Sequence, residues 1–363
     1  MPEATCRGLL AHGAAGRDAV IVEGVWKSFA AGGDLNTLRD WFGLPAIAVV
    51  NAAQFADCFL PPRPKVDALL LDGFTSHRQF LEMALRLEVL WGIPVLGGLP
   101  EMPVVRGVLD RLPAVANPAG SLCRRLGDAL AESLDVPRFL ALASSTPCEF
   151  SNSLGFDSME SGGVRGRNVA VALDECFTGP FPETIELLET MGSCCRGFSP
   201  LRQEHIPADV DCVVLGDCRL EAFAELLAVN HCFWRALRAF AAAGGAIYAE
   251  GASLPLLART LEFADGRCLP MAGILPGRAV PVRPENVGEP VQIALGEGIP
   301  PLRCYRGDWT YQPNSQNSRA ESLLWRTSTV CGSEASIHFA AQAAWLRPLL
   351  AAGDRVSLAA SMR

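Results

Sequence analysis

Short apolar, β-branched runs alternate with stretches of helical period along most of this chain, and that alternation restricts its fold more than any other feature. "DAVIVEG" (Asp18 to Gly24), "PAIAVVN", "VDALLLDGF" and "IPVLGGLP" each read as a strand buried on both faces. Between them, "LNTLRDWFG" and "RQFLEMALRLEVLWG" carry apolar residues at helical spacing and end on Gly43 and Gly92. Parallel pairing needs a long crossover between successive strands, usually a helix, and the helical stretches between these runs suit that requirement. A doubly wound α/β unit follows, with ligand loops expected at the C-terminal ends of its strands.

The same pattern restarts later. "NVAVALD", "DCVVLGD" and "AIYAEG" read as strands, and "PETIELLETMG" and "FWRALRAFAAAGG" as helices. Gly244 and Gly245 stand where a helix ends, since glycine enters the left-handed region without penalty. Between the two series, "SSTPCEFSNSLGFDSMESGGVRGR" is rich in Ser, Gly and Pro and has no apolar period. The organisation expected is a domain over 1–143, a linker over 144–167 and a second domain over 168–363.

Composition excludes several functions. A formal charge of −8 and a pI near 5.3 leave no basic surface for a polyanion, so no nucleic-acid partner is expected. No run of 18 apolar residues and no signal sequence occurs, so the expectation is a soluble, cytoplasmic chain without a membrane partner. Thirteen cysteines are scattered with no C-x-x-C pair, and the adjacent Cys194 and Cys195 suit neither a disulfide nor zinc. They read as buried or incidental thiols in a reducing compartment.

The second half resembles the glutamine amidotransferase domain of the cobyrinic acid a,c-diamide synthase family. The resemblance rests on "FPETIELLE", "FSPLRQEHIPADVDCVVLG", "LEAFAELLAVN", "AFAAAGGAIYAEGASLPLLAR" and "LPMAGILPGRA", in family order and spacing. The first half resembles the synthetase domain of the same family through "DAVIVEGVW", "LPAIAVVNA", "GIPVLGGLP" and "LAESLDVPRFLALASS". The fold class implied is α/β: a truncated P-loop-type parallel-sheet domain, then a class I glutamine amidotransferase-like α/β domain. The resemblance implies ATP-dependent amidation of tetrapyrrole carboxylates. ATP forms an acyl phosphate, and ammonia from glutamine, released by a thiol nucleophile, displaces the phosphate. Its ligands would be a tetrapyrrole (cobyrinic acid or a sirohydrochlorin-like ring), glutamine, ATP and Mg2+. A homo-oligomer or an intact synthetase paralogue is the expected protein partner.

Residue by residue, the chain departs from that chemistry. Gly251 falls where the family carries its nucleophilic Cys, and glycine has no side chain to attack with. Ser253 lies two residues past the apex. In "ASIHFAAQ", placing His338 on the second of two family histidines puts Ser336 on the first; a register slipped by two makes His338 the base. In "VVLGDCRLE", Gly216 and Glu221 match the family, whereas Asp217 and Cys218 add bulk beside the expected oxyanion site. A P-loop needs G-x-x-x-x-G-K-[ST], and the one Lys-Ser pair, Lys27–Ser28, follows no glycine loop. The family's phosphate loop lies upstream of where this chain begins.

Glu23 matches an acidic residue that the family uses for Mg2+, at the expected C-terminal end of a strand. Asp72, in "LLLDGF", is either a site residue or a loop carboxylate. Arg202, Arg278 and Arg306 are candidates for ring carboxylates. Trp309 and Tyr311 either stack on a macrocycle or pack in the interior. The expectations are an impaired homologue of the synthase or, alternatively, a non-catalytic tetrapyrrole-binding or regulatory subunit.

Overall fold

A computed structural model describes residues 3–24, 35–55, 63–109, 120–144, 167–283, 286–293, 301–314, 323–339, 342–343 and 346. The chain divides into two compact units, residues 6–152 and residues 153–363 together with the first five. Most of the expected linker, residues 145–166, lies outside the described residues.

The first unit carries α1 (Glu3–Ala14) from Cys6 onward, α2 (Leu35–Phe42), β1 (Ile47–Asn51), β2 (Ala68–Phe74), α3 (His77–Trp91), β3 (Val95–Pro100), α4 (Pro103–Leu109), α5 (Gly120–Ala131) and α6 (Val136–Ser144). Its three strands are parallel, in the order β1-β2-β3, with Asn51 opposite Asp72. Helix α3 starts where the Ser76 side chain accepts from the Gln79 amide, and stops at Gly92, whose φ of 64° is left-handed. It turns Phe80, Leu87 and Trp91 onto Leu69, Leu71 and Val95 of the sheet.

One expected strand is not formed. Asp18–Gly24 is irregular, and Ile21 is 83% exposed. An apolar run becomes a strand only where a neighbour completes its backbone hydrogen bonds, and here no ladder includes it. Glu23 is therefore on an exposed irregular segment and not at a strand end.

The second unit is built on a six-stranded sheet in the order β16-β17-β9-β7-β4-β6. Its strands are β4 (Asn168–Ala172), β6 (Cys194–Phe198), β7 (Cys212–Leu215), β9 (Ala246–Glu250), β16 (Leu324–Arg326) and β17 (Val330–Ser333). All pairs are parallel except β16 with β17. Two-residue alternation sends Ala170, Val213, Leu215, Ile247 and Ala249 to one face, and Val169, Val171, Val214 and Tyr248 to the other. The first face is covered by α8 (Leu220–Ala228) and α9 (His231–Ala242), through Leu227, Phe233, Trp234 and Leu237. The second face is covered by α7 (Pro182–Thr190), through Leu187 and Leu188, and by Ile337 and Phe339.

The remaining described strands form three smaller sheets. β5 (Phe177–Gly179) pairs with β8 (Asp217–Cys218). β10 (Thr260–Glu262), β11 (Cys268–Pro270), β12 (Gly277–Pro281) and β15 (Trp309–Pro313) form a mixed sheet. β13 (Pro290–Ile293), β14 (Leu302–Arg306) and β18 (Ala335–Ile337) form an antiparallel one. Trp309 and Tyr311 are buried in the core, and the Tyr311 hydroxyl donates to the Pro276 carbonyl at 2.9 Å, so both pack inward. Cys176, Cys212, Cys218, Cys304 and Cys331 are buried thiols; burial pushes Cys212 up to about 12 and Cys331 up to about 11.

Candidate functional site

Central strand β9 runs through the core and breaks at its C-terminal end into a single tight turn, Gly251–Ser253. Gly251 takes φ 57°, in the left-handed region. A side chain there would be strained, which is the backbone signature of a strand-to-helix elbow that presents a reactive atom. Gly251 is buried and presents none.

Three other segments meet this turn. After β7, Gly216 leads into β8, and a Cβ at Gly216 would collide with the Gly179–Pro180 backbone. This close approach holds Asp217 in place, and β5 pairs alongside it. After β14, Gly307 lies where a Cβ would be 3.5 Å from the Gly251 Cα. From β18, Ser336 reaches the Asp217 carboxylate, with Oγ 3.4 Å from Oδ2.

Asp217 dominates the geometry. Its Oδ1 accepts from the Ala252 amide and from its neighbour Cys218, each at 2.9 Å. An ideal Cβ on Gly251 would stand 2.5 Å from that oxygen and 2.8 Å from Cγ. The carboxylate thus fills the space into which a side chain at 251 would project, and takes the amide that follows the apex. In elbow enzymes that amide stabilises the oxyanion. Ser253 is fully buried, and its hydroxyl donates to the Gly216 carbonyl.

Acidic side chains crowd the same place. Glu250, 1% exposed, receives the Tyr248 hydroxyl at 2.8 Å, yet burial, with Asp217 nearby, pushes its pKa up to about 8. Asp308 is raised by burial and by the charges of Asp217 and Glu221. Glu221 itself is exposed in the first turn of α8, where a carboxylate suits the helix dipole. Glu334 is also raised by burial, although the Tyr311 amide, the Thr310 hydroxyl and the Trp325 indole all donate to it.

His338 lies just past β18 and contacts the start of α7. Its ring is tilted on Phe181 at 4.7 Å, and Nε2 is 3.8 Å from a Glu183 carboxylate oxygen. Nδ1 is buried without a hydrogen-bond partner, and burial holds the imidazole below its ordinary value despite Glu183. The sequence therefore brings Gly216, Gly251, Ser336 and the Arg306–Asp308 segment to one turn, and packs His338 against other residues.

The arginines divide. Arg202 pairs with Glu175, and Arg278 pairs with Glu262 at 2.8 Å and Gln312 at 3.0 Å. Arg306, at the end of β14, keeps its Nε buried without a partner. In the first unit, Asp72 pairs with Arg106. Among the described residues no cluster of three His, Cys, Asp or Glu side chains could hold a metal ion, and Lys27–Ser28 lies outside those residues. With Glu23 exposed and away from any strand end, the described residues do not fit a Mg2+–nucleotide site. No helix among them is long and apolar enough to cross a membrane.

Glu250, Asp308 and Glu334 were missed by sequence reasoning. A signal existed for Glu250: it is the one charged residue in the apolar run "AIYAEG", and a charge within a core strand must find partners or neutralise.

A parallel sheet whose central strand ends in a left-handed turn, met by segments from neighbouring strands, defines a protein of the α/β class. Relatives name the family. The chain is 30% identical over 329 residues to a cobyrinate a,c-diamide synthase of Syntrophotalea carbinolica, covering 83% of this chain and 70% of that one. It is 30% identical over 295 residues to a hydrogenobyrinate a,c-diamide synthase of Pseudomonas aeruginosa, covering 76% and 64%. It is 28% identical over 276 residues to a cobyrinate a,c-diamide synthase of Methanosarcina acetivorans, covering 68% and 55%. The chain belongs to the cobyrinate a,c-diamide synthase family. It spans less than two thirds of the length of the second and third of these relatives. No family model matches it. A crystal structure of a glutamine amidotransferase overlays 50% of this chain and 98% of its own, with TM-score 0.38 and 15% identity, too distant to bear on activity.

Proposed function

We propose that this chain is a homologue of glutamine-dependent cobyrinate a,c-diamide synthase that is impaired in glutamine hydrolysis, and that its remaining role is to bind a tetrapyrrole carboxylate. The observation that carries the reading is Gly251: the apex of the elbow has no atom to attack glutamine, and the hydroxyl two residues on, of Ser253, is committed to the Gly216 carbonyl. Loss of a covalent nucleophile removes several orders of magnitude of rate. His338, one of the two positions considered for a base, contacts Glu183 and Phe181, and Ser336 cannot serve as a base. Arg306 is the arginine we assign to an acidic ring: Arg202 and Arg278 already pair with carboxylates, whereas the Arg306 Nε has no hydrogen-bond partner.

Two measurements on the full chain test this. Glutaminase activity should be absent, with or without ATP and Mg2+. A visible-absorption titration with cobyrinic acid and with a sirohydrochlorin should give saturable shifts at micromolar ring, weakened by Arg306→Ala. Turnover of glutamine would overturn the impairment, and no binding of either ring would overturn the tetrapyrrole role.

A subunit acting beside an intact synthetase is the second reading, favoured by the same missing nucleophile. Co-purification with such a paralogue, or stimulation of its activity, would support it.

A further inference from the structure

We infer that Asp217 is an internal plug of the elbow, a carboxylate that closes the turn at Gly251 and makes residues 217 and 251 a coupled pair, so that a side chain at 251 is admitted only when 217 is small. The inference concerns the same turn as the proposed function but does not require a ring to bind. Its test reads stability and thiol access, and so can fail while the titration succeeds.

Asp217 belongs to β8, whose Cys218 pairs with Phe177 of β5, and the Thr178 hydroxyl donates to the Asp217 carbonyl at 2.8 Å. Gly216, just before it, lies against Gly179 and Pro180 so closely that no Cβ fits. The backbone therefore cannot withdraw without breaking the β5–β8 pair. The side chain is held as well, by the Ala252 and Cys218 amides on Oδ1 and the Ser336 hydroxyl near Oδ2. Bonds from backbone amides to a carboxylate are stronger than neutral ones.

The contact distance is what couples the two residues. A Cβ 2.5 Å from Oδ1 is closer than side chains tolerate, and the oxygen it meets is the one that accepts from the Ala252 amide across the turn and from its neighbour Cys218. Anything larger than hydrogen at 251 must displace the carboxylate, leaving the Ala252 amide without its acceptor. A thiol there would also face an anion, which disfavours the thiolate. Restoring a nucleophile by one substitution thus fails on two grounds, steric and electrostatic, and both are removed together by shortening residue 217.

The test is a double-mutant cycle on the full chain, measured by chemical denaturation. Gly251→Ala is made in the natural protein and in Asp217→Gly. The left-handed backbone penalises alanine in both backgrounds and cancels, leaving the coupling. The expected difference is on the order of tenfold in the folding equilibrium constant, within the range for residues in contact. Equal losses in the two backgrounds would overturn the inference.

Asp217→Asn keeps the volume and the acceptor and should preserve the coupling; its disappearance there, as complete as with glycine, would also overturn it. If Asp217→Gly does not fold, Asp217→Ser takes its place in the cycle. In a parallel experiment on native protein, iodoacetamide should label Gly251→Cys roughly tenfold faster when Asp217→Gly is also present. Equal rates, read by mass spectrometry on the peptide containing position 251, would count against the plug.

Discussion

Replacing Glu250 by glutamine should remove a pH dependence that the natural chain carries. The carboxyl is buried at the end of β9 beside Asp217, and its pKa rises from an ordinary value of 4.5 to about 8. A group whose folded pKa exceeds its unfolded one binds more protons when folded between the two values. Its contribution is therefore fully present below about pH 4.5 and is lost as pH rises toward 8. At about 1.4 kcal/mol for each tenfold change in proton affinity, the loss across the window is on the order of 5 kcal/mol. That is a large share of the roughly 5–15 kcal/mol that holds a typical domain together.

Guanidinium denaturation at closely spaced pH values from 5 to 9 measures this, with the slope checked for constancy. The natural chain should lose stability steadily above pH 5. Glu250→Gln, which still accepts from the Tyr248 hydroxyl, should show a much flatter curve and be the more stable of the two above pH 8. Other groups titrate in the same range, but the difference between the two proteins isolates residue 250. Parallel curves would mean that the carboxyl is charged in the folded state, and the account of the elbow as a desolvated acidic pocket would be wrong.

Two further expectations concern the same unit. Gly216→Ala should destabilise by about 1–3 kcal/mol in a melting experiment, because its Cβ meets the Gly179–Pro180 backbone, and an unchanged midpoint would show that the β5–β8 pair yields. His338 should titrate below its ordinary value in an NMR experiment, and lower still in Glu183→Gln, since Glu183 opposes the effect of burial. The sign there is opposite to that of Glu250: stability from a buried neutral imidazole is present above pH 6.5 and lost as pH falls.

The sequence by itself determined the layered architecture. Apolar runs and helical patterns located β1, β2, β3, β4, β7 and β9 and helices α2, α3, α7 and α9, because the strands of a helix-covered parallel sheet are mostly apolar. It also marked the apex at Gly251 and the bulk of Asp217, since both are properties of single residues within a matching stretch.

Other decisions needed distant parts of the chain to meet. Asp18–Gly24 has strand composition but no partner in a ladder, and composition cannot supply one. The described strands after Gly251 have no α-helix between them to mark an alternation, and are held in place by neighbours far along the chain, as Gly277 is by Pro313. Trp309 and Tyr311 could have faced a ligand or the core until β12 and β15 paired and turned them inward.

The contact of Asp217 with Gly251 is of the same kind. Thirty-four positions separate the two, and it is the parallel pairing of β7 with β9 in one sheet that brings the carboxylate against the turn. Residue types and their local order set which elements can exist, because period and propensity act within a few residues. Which side chain fills the elbow is a matter of packing across the sheet, which no local pattern encodes.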